Sequence, residues 1–459
     1  MLRTGAEYLV VAIDNLCKEG LAKEVHYSAE WINQLKIKTF RMNLNQTAKP
    51  YDIPKQMVWE AYLKVSGNQG AAGIDNITIE MFDKGLSKNL YKIWNRMSSG
   101  SYMPTAVKLV EIPKGNGETR PLGIPTVSDR IAQMCAVLRL EPTIDPVFHQ
   151  DSFAYRPGRS AHQAVESARK RCWRYDWVLD LDIRKFFDTI DHDLLMKAVK
   201  RHTSESWILL YIKRWLKAPY QTKDGKIIER SCGVPQGSVI GPILANLFMH
   251  YTFDEWMRRN YPSIPFERYA DDTICHCRTL EEAENLKISI SKRMAECKLS
   301  LNEAKTKIVY CKDSDRKGKY ENEQFDFLGF TFRARRSKNR WGKFFINFSP
   351  AISTKAKKKM NDEIRSWNLQ GKTDKNLEDL AHMFNAKLKG YIAYYSKFYK
   401  SEMYPIFQRL NVRLAHWVSR KFKKCRRHKT RAIRWLGKMC KQNPTLFAHW
   451  KFGVKPPII

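Results

Sequence analysis

The sequence predicts an α+β body set between helical segments. Three observations carry this: short β-branched runs mixed with amphipathic stretches between about residues 107 and 335, helical spacing on either side of that span, and 43% hydrophobic content over 459 residues. Such content fills more than one modest core and excludes a disordered or fibrous chain. Lys and Arg number 81 against 47 Asp and Glu, a net charge of +34. That excess would self-repel without a counter-charge, so a polyanion is the expected partner, nucleic acid before anionic membrane.

The first 70 or so residues show helical spacing around Trp31 and Leu35 and from Met57 through Val65, then a glycine-rich break from Gly67 to Gly73. They read as an extension joined to a larger body. The body contains the helical stretches Leu194 to Val199 and Glu281 to Met294. Beyond about residue 350 strands give way to basic helical stretches, Lys355 to Trp367 and Leu377 to Tyr399. From Lys421 to Ile459 there are twelve basic residues and no acid. A run of one sign interleaved with Trp435, Phe447 and Trp450 offers phosphate neutralisation and stacking faces.

No run of about 18 apolar residues is present, and the N-terminus places acids and a Lys where a secretory segment stays apolar. A soluble protein of a bacterial cytosol is expected, with no membrane partner. The ten cysteines form no Cys-x-x-Cys pair, which argues against a zinc ribbon. Cys275 and Cys277 flank His276 in strand-like alternation and are read as packing residues.

The chemistry is expected on three acids. In Trp177 to Ile183 a period of two places Asp180 and Asp182 on one face and Leu179 and Leu181 on the other. Later, Phe266 to Cys275 reads as a tight hairpin with Asp271 and Asp272 at its tip. Phosphoryl transfer to a 3′-hydroxyl uses two Mg²⁺ about 4 Å apart, held by hard oxygen ligands, and carboxylates on adjacent strand ends supply them.

Order and neighbours make the pattern specific. Tyr269-Ala270-Asp271-Asp272, preceded by Asp182-Ile183-Arg184-Lys185-Phe186-Phe187-Asp188 and by Gly233-Val234-Pro235-Gln236-Gly237-Ser238, resembles the palm of reverse transcriptases. Over most of its length the chain resembles the reverse transcriptase and maturase proteins encoded by group II introns. Ile112-Pro113-Lys114, Arg120 to Pro125 and Phe153 to Ser160 look like the family's fingers, Phe325 to Phe332 like its primer-grip hairpin, and Phe384 to Tyr395 like its maturase, or thumb, segment.

The resemblance implies a right-hand polymerase: a helical extension over 1–70, fingers over 71–175, a palm over 176–340, an all-α thumb and maturase domain over 341–420, and a basic DNA-binding tail over 421–459. It implies RNA-directed DNA synthesis from dNTPs, with group II intron RNA and a DNA target and primer as partners. Two Mg²⁺, or Mn²⁺ in their place, are expected on Asp182, Asp271, Asp272 and the Ile183 carbonyl. Asp180 is a supporting acid, with exchanged roles left open. Lys114 and Arg120 would grip the triphosphate, and Gln236 would contact the nascent pair.

Phe187 matches the bulky residue that crowds a ribose 2′-hydroxyl, although it and Phe186 also read as core aromatics. Lys305 is either a proton donor to pyrophosphate or a solvated helix-end charge. Arg156, Arg159, Lys387 and Lys389 are expected template or RNA contacts, and Lys423, Lys424, Arg426, Arg427 and Arg431 DNA contacts. Tyr391, Tyr394 and Tyr395 fall at helical spacing and read as packing. Without Cys pairs, an appended His/Cys endonuclease and second-strand cleavage are not expected. The rival readings are a domesticated reverse transcriptase of a defence or diversity-generating system, an RNA polymerase sharing the palm, and a splicing cofactor whose polymerase is dead.

Overall fold

A computed structural model describes residues 49–113 and 119–457. Trp31, Leu35 and Lys114 lie outside the described residues. The chain divides into two units at Asp52. The second opens with helices α1 (Lys55–Ser66) and α2 (Leu86–Ser98), strands β1 (Val107–Pro113) and β2 (Thr119–Ile124), and helix α3 (Val127–Ile144). Helix α1 packs on α3 and buries Val58, Ala61, Tyr62 and Val65. The boundary expected near residue 70 is therefore displaced, because the apolar face of α1 completes the core of the larger unit.

Next come α4 (Ala161–Cys172), β3 (Trp177–Leu181), α5 (His192–Lys200), α6 (Ser206–Lys217), β4 (Tyr220–Gln221), β5 (Ile227–Ile228) and α7 (Gly241–Met249). The fingers sheet has the order β2-β1-β4-β5. Its β1–β2 pairing is antiparallel, and β4 joins β1 in parallel through Val107↔Tyr220 and Lys108↔Gln221. Residues 220–228 thus belong to the fingers sheet, while α4 packs on palm strands. A single cut at residue 175 does not divide fingers from palm.

The palm adds β6 (Phe266–Tyr269), β7 (Asp272–Cys277), α8 (Leu280–Glu296) and β8 (Lys307–Tyr310). They form an antiparallel sheet in the order β6-β7-β3-β8, with β3 paired on both sides. Cys275 and Cys277 are fully buried on β7, in keeping with packing. A second sheet, β11-β10-β9, follows: β9 (Gln324–Phe327), β10 (Phe330–Lys338) and β11 (Phe344–Ile352). Val178, Ile274 and Val309 of the first sheet share one core with Phe325, Phe327, Phe330 and Phe332 of the second. Leu328 and Gly329 turn β9 into β10 with φ of 51° and 80°, the double positive φ of a two-residue hairpin.

The longer helices that follow are α9 (Thr354–Ser366), α10 (Leu377–Tyr395), α11 (Tyr404–Lys421) and α12 (Lys429–Gln442). One core runs through all four and continues to Val454. Phe447 and Trp450 lie within it, 1% and 0% exposed, and Trp435 packs partly buried against it. The stacking role expected of these aromatics is corrected. They sit on the inward face of the tail, where burial of their rings outweighs exposure to a nucleic acid. No helix among the described residues is long and apolar enough to cross a membrane.

Candidate active site

The expected catalytic acids gather where strand ends of the palm sheet meet. Strand β3 carries Asp180 and delivers Asp182 just past its last pair, Leu181↔Thr273. The backbone fixes Asp182 there: its carbonyl accepts from Asn302 N at 2.8 Å, Arg184 N donates to the Ser300 carbonyl at 2.9 Å, and Ile183 bridges Leu301. Beside it, the β6–β7 hairpin turns through Ala270 and Asp271 between the facing pair Tyr269 and Asp272. Ala270 has φ +61, a left-handed conformation that costs a residue with a Cβ about 1–2 kcal/mol.

Arg268 holds that turn. Its side chain is fully buried and forked onto Asp254, with Nε to Oδ1 at 2.7 Å and a terminal nitrogen to Oδ2 at 2.6 Å. The remaining donors reach Asn246 Oδ1 and the Ala270 carbonyl, both at 3.0 Å, and Ser152 Oγ at 2.8 Å. Every arm of the planar guanidinium is used, which a lysine would not reproduce. Arg268→Met leaves Asp254 charged and buried without its partner. It should cost about 3–5 kcal/mol, read as a lower denaturant midpoint at unchanged slope; a midpoint like the parent's would remove Arg268 from this role.

The acids crowd one another. Desolvation first, then Asp271 and Asp182, push the Asp272 carboxyl up to about 6, against the pull of Arg120. Asp271 is raised by burial and by Asp182, opposed by Arg120. Asp180, behind them on β3, is raised to about 7 by burial and then by Asp272 and Asp182, while Lys307 lowers it. A cluster that resists its own ionisation fits a hard cation through oxygen donors. Among the described residues, no three acidic, histidine or cysteine side chains close on a single ion-sized point.

The sign for Asp180 follows from linkage. With the folded pKa above the unfolded one, the native state loses stability as pH rises from about 4 to 7. Asp180→Asn should be about 4 kcal/mol more stable than the parent at pH 8 in chelator, and no different near pH 4. A difference that does not change with pH would show that the amide acts by packing alone.

Facing the acids is an interlocked wall. Arg120, on β2, donates Nε to Gln236 Oε1. The Gln236 carbonyl accepts Gly123 N at 2.7 Å, and Val234 N donates to the Phe187 carbonyl at 2.7 Å. Gly237 has φ +107, and a Cβ there would lie 2.5 Å from the Gly123 carbonyl oxygen. Only glycine fits this approach of loop to strand. The structure thus brings Asp182, Asp271 and Asp272 together with Arg120 opposite them, Gln236 bonded to Arg120, and Phe187 tied to the Gln236 loop through its carbonyl. Lys305 Nζ stands 3.7 Å from Asp182 Oδ2.

Residues 112–332 match the reverse transcriptase (RNA-dependent DNA polymerase) family, and residues 357–435 the group II intron maturase-specific domain. Protein YkfC of Escherichia coli (strain K12) is 30% identical over 318 residues, which are 60% of this chain and 78% of that protein. The chain belongs to the group II intron reverse transcriptase/maturase family.

Two other relatives of this reverse transcriptase/maturase carry intron names. Group II intron-encoded protein LtrA of Lactococcus lactis subsp. cremoris is 31% identical over 44% of the chain and 33% of its own length. The putative COX1/OXI3 intron 1 protein of Saccharomyces cerevisiae is 30% identical over 44% of the chain and 24% of its own. The chain thus spans most of YkfC but a third or less of these two.

Elsewhere the reverse transcriptase departs from expectation. Arg156 is no template contact: its side chain is 6% exposed, paired with Asp145 at 2.7 Å and bonded to the carbonyls of His149 and Ser152. It ties its loop to the end of α3. Arg159 is exposed, 5.8 Å over the Phe153 ring. On α10, Lys387 pairs with Glu363 and Lys389 is exposed. The Tyr394 hydroxyl donates to the Leu328 carbonyl at 2.9 Å, so the end of α10 braces the β9–β10 turn. Lys423, Lys424, Arg426, Arg427 and Arg431 are all exposed. The residue missed in the sequence is Arg268. Its only signal was a charged residue at an inward strand position two before the turn.

Proposed function

We propose that the chain copies RNA into DNA at this site, and that it binds a group II intron RNA, assisting its splicing and priming DNA synthesis at a DNA target. The observation that carries the polymerase reading is the meeting of Asp182, Asp271 and Asp272 with Arg120, Gln236 and Phe187. Asp182, Asp271 and Asp272, with the Ile183 carbonyl, would hold two Mg²⁺, or Mn²⁺ in their place. When bound, these ions supply Lewis acidity at the 3′-oxygen and charge neutralisation along the triphosphate. Arg120 orients the incoming phosphates by charge-assisted hydrogen bonds. Lys305 is in reach to donate a proton to the departing pyrophosphate. Exposed Lys389 and the tail's cations carry intron RNA and target DNA.

Phe187 would exclude ribonucleotides. It is 8% exposed with its ring edge-on to Phe186, which packs inward on Phe248. The test is dTTP incorporation on poly(rA)/oligo(dT): no synthesis with either Mg²⁺ or Mn²⁺ overturns the polymerase reading. In the same assay Phe187→Ala should lower the preference for deoxynucleotides roughly 10–200-fold. An unchanged ratio moves the gate away from Phe187. Sequencing the RNA that co-purifies with the chain tests the partner, and a single dominant intron is the result expected.

A further inference from the structure

The β10–β11 ribbon runs on past the body that supports it. Its pairing continues from Phe330↔Ile352 to Lys338↔Phe344, and β11 goes from exposed at Phe344 to fully covered at Phe348. The last anchors are the Tyr399 hydroxyl on the Arg336 carbonyl at 2.6 Å and Ser314 paired with the Ile346 backbone at 2.9 and 3.1 Å. Beyond them the tip is a built turn. Asn339 Oδ1 accepts the backbone N–H groups of Trp341 at 3.0 Å and Lys343 at 2.9 Å, with Gly342 at φ +82.

This arm presents two chemistries that seldom share a surface without a use. Trp341 is 75% exposed and Phe344 54%. Each is backed by a guanidinium: Arg340 lies 4.0 Å over the Trp341 ring and Arg336 3.9 Å over Phe344. A cation on one face leaves the other open and holds the ring in place. There is no acid between Asp326 and Asp362 in the sequence. Among the described residues, no carboxylate pairs with Arg336, Lys338, Arg340 or Lys343.

We infer that the arm is a stacking clamp for an unpaired RNA segment outside the catalytic site. Splayed bases stack on aromatic faces and guanidinium planes, while surrounding cations take the phosphates. A protein or lipid partner would call for carboxylates or a broader apolar patch. RNA is assigned because the arm is tied to the maturase segment: Glu402 accepts from Arg335 at 3.0 Å and from Lys357. The inference goes beyond polymerisation and stands whether or not the acids are active.

The test uses the full chain with Trp341→Ala, Trp341→Phe and a double Arg340→Ala/Lys343→Ala variant. Binding is read by anisotropy for an unstructured single-stranded RNA, an RNA duplex of equal length, and single-stranded DNA of the same sequence. Trp341→Ala should weaken unpaired RNA about tenfold, leave duplex binding and melting temperature unchanged, and be rescued by Trp341→Phe. The double variant should lower the salt dependence of the same binding. Unchanged affinity for unpaired RNA overturns the clamp, as does equal loss on the duplex, which would make it a charge effect. Equal loss on DNA overturns the assignment to RNA.

Discussion

Replacing Asp271 and Asp272 together by Ala abolishes dTTP incorporation on poly(rA)/oligo(dT) while RNA binding and folding persist. The two carboxyls stand at the tip of one hairpin, beside Asp182, and on the proposed reading would hold the metal ions that neutralise the charge the reaction develops. Their loss removes several kcal/mol of transition-state stabilisation, which at 1.36 kcal/mol per decade is a rate loss of about 10³ or more. The fold should not suffer. Asp272 is pushed up to about 6, and Asp271 is raised as well, so the native state bears a cost for ionising them that Ala does not. The variant should melt at or above the parent's temperature in chelator. Synthesis within tenfold of the parent would remove the metal assignment; a lower melting temperature would mark the loss as structural.

Deleting residues 421–459 unfolds the thumb. The basic run reads as a tail whose removal weakens DNA binding more than it harms synthesis. The structure opposes that outcome, because Leu436, Phe447, Trp450 and Val454 lie in the core formed by α9 to α11. Trp450 is wholly buried and donates Nε1 to Asn411 Oδ1 at 2.9 Å, and Asn411 also bonds His449. Trp450→Ala alone should cost about 3–5 kcal/mol, so a deletion that removes all four side chains exceeds what a domain can lose. Replacing Lys423, Lys424, Arg426, Arg427 and Arg431 by Gln isolates the charge. That variant should fold like the parent and lose DNA affinity, its salt dependence falling by nearly one for each phosphate contact removed. If the truncated chain melts like the parent, the shared core is disproved.

The catalytic strand and hairpin are legible because their pattern is local. A period of two places Asp180 and Asp182 on one face, and two apolar runs meeting at Asp271 announce a turn. The inward face of the tail is not legible for a related reason. Composition reports that aromatics and cations alternate but not which face of α12 turns inward, and that is settled by its packing on α11. Arg156 failed similarly: an arginine beside a proline and a glycine looks exposed until Asp145 is brought against it. The fingers boundary was invisible because β4 contributes only two residues, too few for any periodicity, and its pairing with β1 spans more than a hundred residues. Arg268 needed Asp254 and Ser152, one from a helical stretch and one from a loop.

The contact of Gly237 with Gly123 has an entropic consequence. A bond from Gly123 N to the Gln236 carbonyl and a separation no side chain tolerates fasten the base of the fingers to the palm before any nucleotide arrives. Little ordering entropy is left to lose at this contact when a substrate binds.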